Sequence, residues 1–167
     1  MVTAGVNYED TFGDLSVRGA ATAAYGNGVQ TSGSGANPDG HNLEVYTLGG
    51  KVGYRDVYAS VNWTHNQSIA LSDKPVDSIV GDLSYQSGPF LASLSYAYTF
   101  SDKGNGLKSV ESNGSDLKDN HIVGANVTYT VAPGLNTYAE IIYEKQSFRV
   151  GQDFENANLI TGIILGF

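Results

Sequence analysis

The sequence predicts an all-β fold, an antiparallel β-barrel that spans a membrane. Three observations carry that reading. Apolar and polar residues alternate with period two along most of the chain, and no segment keeps a helical period. Connections alternate between tight turns and long loops rich in Gly, Ser and Asn. Charged residues make up only 16% of the 167, against roughly 25% in an average soluble domain.

The first predicted strand runs from Val2 to Glu9, ahead of a turn at Thr11-Phe12-Gly13-Asp14. The second, Leu15 to Tyr25, puts Leu15, Val17, Gly19, Ala21, Ala23 and Tyr25 on one face, and a polar loop covers 26–41. The third runs from Leu43 to Tyr54, and Arg55-Asp56 turns it into the fourth, Val57 to Asn66. There Val57, Ala59, Val61 and Trp63 alternate with Tyr58, Ser60, Asn62 and Thr64. After a loop over 67–76, the fifth strand, Ser78 to Tyr85, turns through Gln86-Ser87-Gly88-Pro89 into the sixth, Phe90 to Phe100. The sixth alternates most cleanly, with Phe90, Ala92, Leu94, Tyr96, Tyr98 and Phe100 against Leu91, Ser93, Ser95, Ala97 and Thr99.

The longest loop is expected over 101–119. The seventh strand sets Val123, Ala125, Val127, Tyr129 and Val131 against Gly124, Asn126, Thr128 and Thr130, and Ala132-Pro133-Gly134 turns it. The eighth carries Leu135, Ala139, Ile141 and Tyr143 opposite Asn136, Tyr138, Glu140 and Glu144. A loop over 146–156 leads to the last, Asn158 to Phe167.

Alternation alone does not say which face is inside, since a soluble up-and-down barrel inverts the polarity. The strands are long and uniform, the loop lengths are sided, and the polar faces carry few Lys or Glu. A solvated exterior would carry many more. Strands of about ten residues, tilted near 40°, cross an apolar band of roughly 25 Å. The aromatics near strand ends then read as interfacial girdles: Tyr54, Tyr85, Phe90 and Tyr129 by the short turns, Tyr25, Trp63, Tyr98 and Tyr143 toward the long loops. The charges expected on the lumen face are Arg18, Lys51, Asp82, Glu140 and Glu144, with Glu9, Glu44 and Arg55 nearer the ends. Such charges bias permeation.

Other chemistries are excluded or weakly supported. A net charge of −8 offers no electrostatic footprint for nucleic acid. The absence of cysteine removes disulfides, thiolate zinc sites and thiol nucleophiles. No apolar run is long enough for a transmembrane helix. Glu140 and Glu144 lie some 13 Å apart along a strand, too far to share one catalytic site. His41, His65 and His121 fall at the long-loop ends and read as solvated rim residues rather than metal ligands. No nucleophile elbow accompanies them. Asp102-Lys103-Gly104-Asn105-Gly106 lacks the spaced acids of a calcium loop. No cofactor or metal is expected, and no enzymatic activity.

The last strand, Asn158-Leu159-Ile160-Thr161-Gly162-Ile163-Ile164-Leu165-Gly166-Phe167, resembles the C-terminal signature strand of bacterial outer-membrane proteins. Its Phe167, with Leu165 and Ile163 on the same face, is then the signal read by the barrel-assembly machinery. The stretch Tyr129-Thr130-Val131-Ala132-Pro133-Gly134-Leu135-Asn136-Thr137-Tyr138-Ala139-Glu140 resembles the penultimate hairpin of Gram-negative trimeric general porins, particularly alphaproteobacterial ones. The specific likeness covers about the last 50 residues, and the rest agrees in pattern. The resemblance implies a barrel of 16 strands, three barrels per assembly, and passive diffusion of small hydrophilic solutes and ions in the bacterial outer membrane. It also implies outer-membrane lipid and lipopolysaccharide as surroundings, and a constriction loop facing basic residues.

Strand parity departs from that pattern. The alternation yields nine strands, whereas a closed antiparallel barrel with both termini periplasmic needs an even count. Val2 to Tyr8 already reads as a strand, with no secretory signal ahead of it. The expectation is therefore one barrel domain over 1–167, incomplete on its N-terminal side and corresponding to the C-terminal half of a porin. The alternative is a small eight-stranded, non-conducting barrel, its first segment folded aside, that serves adhesion or envelope stability.

Overall fold

The computed structural model describes residues 1–26, 43–67, 75–101, 107–108, 116–149 and 151–166. It is all strand: β1 (Val2–Phe12), β2 (Leu15–Gly26), β3 (Leu43–Tyr54), β4 (Val57–Gln67), β5 (Val76–Ser87), β6 (Phe90–Phe100), β7 (Leu107–Lys108), β8 (Asp116–Ala132), β9 (Leu135–Phe148) and β10 (Phe154–Leu165). These form one antiparallel meander in which each long strand pairs with the next and the two-residue β7 pairs with β8. Among the described residues β1 pairs only with β2 and β10 only with β9, so the sheet has two open edges. The first segment is not folded aside, because β1 is in register with β2 along its whole length.

The strands overrun the expected bounds. β8 begins at Asp116, inside the predicted loop, and β9 extends to Phe148. The physical reason is that alternation reports which face meets an apolar medium, whereas the ladder needs only backbone groups. Beyond the apolar band both faces are polar, so pairing continues where the pattern stops.

Two-residue turns close one end of the sheet. Gly13, Arg55 and Gly88 take positive φ (62°, 53° and 54°) at the first central position, while Gly134 takes 77° at the second, after Pro133. A positive φ at the first position matches the turn's twist to that of the flanking strands. Arg55 occupies it without being glycine, and Asp14 on the neighbouring turn holds it. The Arg55 backbone N–H donates to the Asp14 carbonyl at 3.1 Å and its Nε to the Asp14 carboxylate at 3.2 Å. The ladder also crosses from turn to turn: Asp56, Pro89 and Gly134 carbonyls accept from Gln86, Thr130 and Gly166 at 2.8, 2.8 and 2.7 Å.

Antiparallel partners share a face, so the register sorts every side chain. One face carries Val6, Val17, Leu48, Val52, Val61, Leu83, Leu94, Val127, Ile141 and Leu159. These residues are not packed into a core. Val6 and Leu159 are each 70% exposed, and Leu117 (7%) is the one buried apolar side chain among the described residues. So large an apolar surface with no internal partner requires an apolar medium. The polar face is hollow: a cavity of about 530 Å³ on it reaches from Ser16 on β2 to Ser93 on β6. From Phe90 to Phe100 the apolar face rises about 34 Å along β6, or roughly 26 Å at a 40° tilt, a close match to an outer-membrane hydrocarbon layer.

Two predictions follow the division into faces and the turns. At mid-height of β6, Leu94→Arg puts a charge in lipid and is expected to cost about 2–4 kcal/mol. Ser95→Arg, on the hollow face, is expected to cost under about 1 kcal/mol; urea unfolding in lipid vesicles measures both, and equal costs would reject the assignment of faces. At the turns, Gly13→Ala meets open space and pays only for its positive φ, about 1 kcal/mol. Gly134→Ala also drives a methyl into the Gly166 carbonyl and should lower stability further, by about 2–4 kcal/mol in the same assay.

Candidate pore wall

The ladder gathers charges that are far apart in sequence. Successive cross-strand partners Glu9, Arg18, Lys51, Ser60, Asp82, Ser95 and Gly124 form one row across the hollow face. Arg18, Lys51 and Asp82, predicted separately as lumen charges, therefore lie in one row of the wall. Arg18 is paired with Glu9 at 2.6 Å. Among the described residues, Lys51 and Asp82 have no ion-pair partner. The Lys51 ammonium instead sits 4.7 Å from the centroid of the Tyr58 ring.

Glu140 and Glu144 share the same face of β9 but belong to other rows, beside Asn126 and Ile122. Glu144 accepts from Asn120 Nδ2 at 2.9 Å and Gln146 Nε2 at 2.8 Å. Two expected wall charges lie elsewhere. Glu44 pairs in register with Tyr25 on the apolar face and accepts from the Tyr46 hydroxyl at 3.4 Å. Arg55 is in the turn. Both sit at strand ends, where a one-residue uncertainty in the boundary reverses the face.

Small residues dominate the hollow face: Ser60, Asn62, Ser84, Ser93, Ser95, Gly124, Asn126 and Thr128. Two tyrosines lie over glycines on it. A Cβ on Gly53 would overlap the Tyr58 ring, at 2.5 Å, and one on Gly162 the Tyr138 ring, at 2.7 Å. Sequence reasoning did not pair these residues, nor Glu9 with Arg18. The signal for the first was available, because a two-residue turn at Arg55-Asp56 fixes Gly53 opposite Tyr58. Toward β10 the same face turns apolar, with Ile122, Ile142, Ile160 and Ile164. From Leu159 to Leu165 the last strand is thus largely apolar on both faces, which alternation had not suggested.

Every predicted girdle aromatic is on the apolar face. Tyr54, Tyr85, Phe90 and Tyr129 stand at its turn end, and Tyr25, Trp63, Tyr98 and Tyr143 toward the opposite end. His65 and His121, expected as solvated rim residues, are on that face too. Trp63 Nε1 donates to Asp77 Oδ1 at 3.1 Å, and His65 Nδ1 lies 3.0 Å from the same oxygen. His121 stacks on Tyr98 at 4.6 Å, with its Nδ1 2.8 Å from the Tyr96 hydroxyl. Aromatic bodies with polar tips suit a boundary between hydrocarbon and water. Leu165 and Ile163 face the same side, opposite Leu135 and Thr137. His41 and Phe167 lie outside the described residues.

An open sheet with an unpacked apolar face and a hollow, small-residue polar face is a section of barrel wall. Comparison with known proteins agrees. The structure is similar to OmpT, an outer-membrane protein of Vibrio cholerae, with TM-score 0.53 and 18% identity, covering 96% of this chain and 54% of that one. It is equally similar to a loop L8 deletion mutant of the same protein: TM-score 0.53, 16% identity, 97% and 53% covered. The chain thus spans about half the length of the solved structures it matches. A search of curated protein sequences returned no match. The family model for Gram-negative porins matches residues 1–148, which take in the hairpin over 129–140 and the strands before it but not the last strand. With that match over most of its length, the chain belongs to the Gram-negative porin family and is a protein of the bacterial outer membrane.

Proposed function

We propose that this chain is part of the wall of a diffusion channel, through which small hydrophilic solutes and ions pass without covalent chemistry. The observation that carries this reading is the hollow face. Its side chains are mostly Ser, Asn, Gly and Thr, which leave room for water, whereas a small closed barrel fills its interior with side chains. The open edges of β1 and β10 support a larger ring. With nine long strands in an antiparallel meander, β1 and β10 run parallel. Antiparallel closure therefore needs an odd number of further strands between them, and seven give the 16 of a general porin. We place Arg18, Lys51, Asp82, Glu140 and Glu144 along the water path, the apolar face against lipid and lipopolysaccharide, and Leu165 and Ile163 in the strand read during assembly. Three such barrels form the assembly.

On the described hollow face the acids Glu9, Asp82, Glu140 and Glu144 outnumber Arg18 and Lys51. A modest cation preference follows. In planar bilayers the protein is expected to give stepwise conductance, and a KCl gradient to give a reversal potential of cation-selective sign. Asp82→Asn with Glu140→Gln should move that potential toward zero. Absence of conductance would reject the channel, and anion selectivity would reject the charge assignment.

A further inference from the structure

On the hollow face Lys51, Asp82 and Glu140 have no ion-pair partner among the described residues, and of these Lys51 and Asp82 share a row. Arg18 is satisfied by Glu9 and Glu144 by two amides, but Lys51 has only the Tyr58 ring, and Asp82 has no charged or hydrogen-bonding partner among the described residues. Both line the cavity of about 530 Å³, which Tyr58, Ser84, Ser93 and the Glu9-paired Arg18 share. That volume is in the range of sites for small molecules. Ser60 separates the two in a single row, so their backbones are two strands, about 10 Å, apart. Tyr58 is fixed by its seat over Gly53, and it holds the ammonium against the wall.

An ammonium and a carboxylate in one row, each without an ion-pair partner among the described residues and both facing one hollow, are complementary to a solute carrying both charges. We propose that this hollow is a docking site for small zwitterions, with the solute carboxylate on Lys51 and its ammonium on Asp82. Ser84 and Ser93 offer hydroxyls beside it. A single-charged solute satisfies one end and leaves the other hydrated. Full solvent access keeps the binding weak, as a site on a permeation path requires. The proposal rests on the channel reading for its purpose, though not for its chemistry.

Three probes of one chain length separate the possibilities: 4-aminobutyrate, butyrate and butylammonium. Each is titrated onto the full chain in detergent micelles, with saturation-transfer NMR as the readout and circular dichroism reporting the sheet. The zwitterion is expected to bind about tenfold more tightly than either single-charged probe. Lys51→Met and Asp82→Asn should each abolish that margin, leaving the variant's remaining charge to bind one probe. Equal binding of all three probes by the wild type, which needs no variant to fold, would overturn the site, as would its failure to bind the zwitterion. Conductance in bilayers without zwitterion preference removes the site and keeps the channel. Zwitterion preference without conductance does the reverse.

Discussion

In hydrocarbon, a backbone N–H or C=O left without a partner costs several kcal/mol, and no water can supply one. The rest of this structure depends on meeting that constraint with a continuous antiparallel ladder. Each long strand crosses the apolar band without a break, the tight turns hand hydrogen bonds to their neighbours, and the two departures from register in β8 lie near its ends. Once the ladder is obligatory, side chains are freed from building a core. Leu117 is the one buried apolar residue described, and it lies at the long-loop end, beyond the apolar band.

The ladder also turns local turn geometry into wall chemistry. A strand shifted by one residue would exchange its lipid and water faces. The two-residue turns prevent this, and they do so even at Arg55, where a non-glycine residue accepts a left-handed backbone and Asp14 compensates with two hydrogen bonds. The register thus fixed brings Glu9, Arg18, Lys51 and Asp82 into one row from four strands. It places Tyr58 over Gly53, giving the ring a seat and the Lys51 ammonium a face to rest on. At the opposite end the same register assembles Trp63, His65 and Asp77, and separately Tyr96, Tyr98 and His121, at the edge of the apolar band.

Much of this was legible from period-two alternation. The faces of Phe90 to Phe100 and of Val57 to Thr64 are as the pattern indicated, and each predicted girdle aromatic faces the apolar side. Legibility failed where the two faces stopped contrasting. β8 runs several residues into a stretch read as loop, Glu44 changed sides at a strand end, and β10 carries Ile160 and Ile164 on the face expected to be polar. At the strand ends the medium on the two sides is alike, so hydrophobicity carries no information about pairing there.

The sequence by itself determined the fold class, the strand-turn-strand order, and which residue types meet lipid, because these depend on contrasts between adjacent positions that a bilayer enforces. Only the tertiary structure decided which of the polar residues become neighbours. Cross-strand pairing couples positions tens of residues apart, and its register accumulates over successive turns, each of which must be counted correctly. The row from Glu9 to Asp82, and the lack of an ion-pair partner for Lys51 and Asp82 among the described residues, exist only at that level.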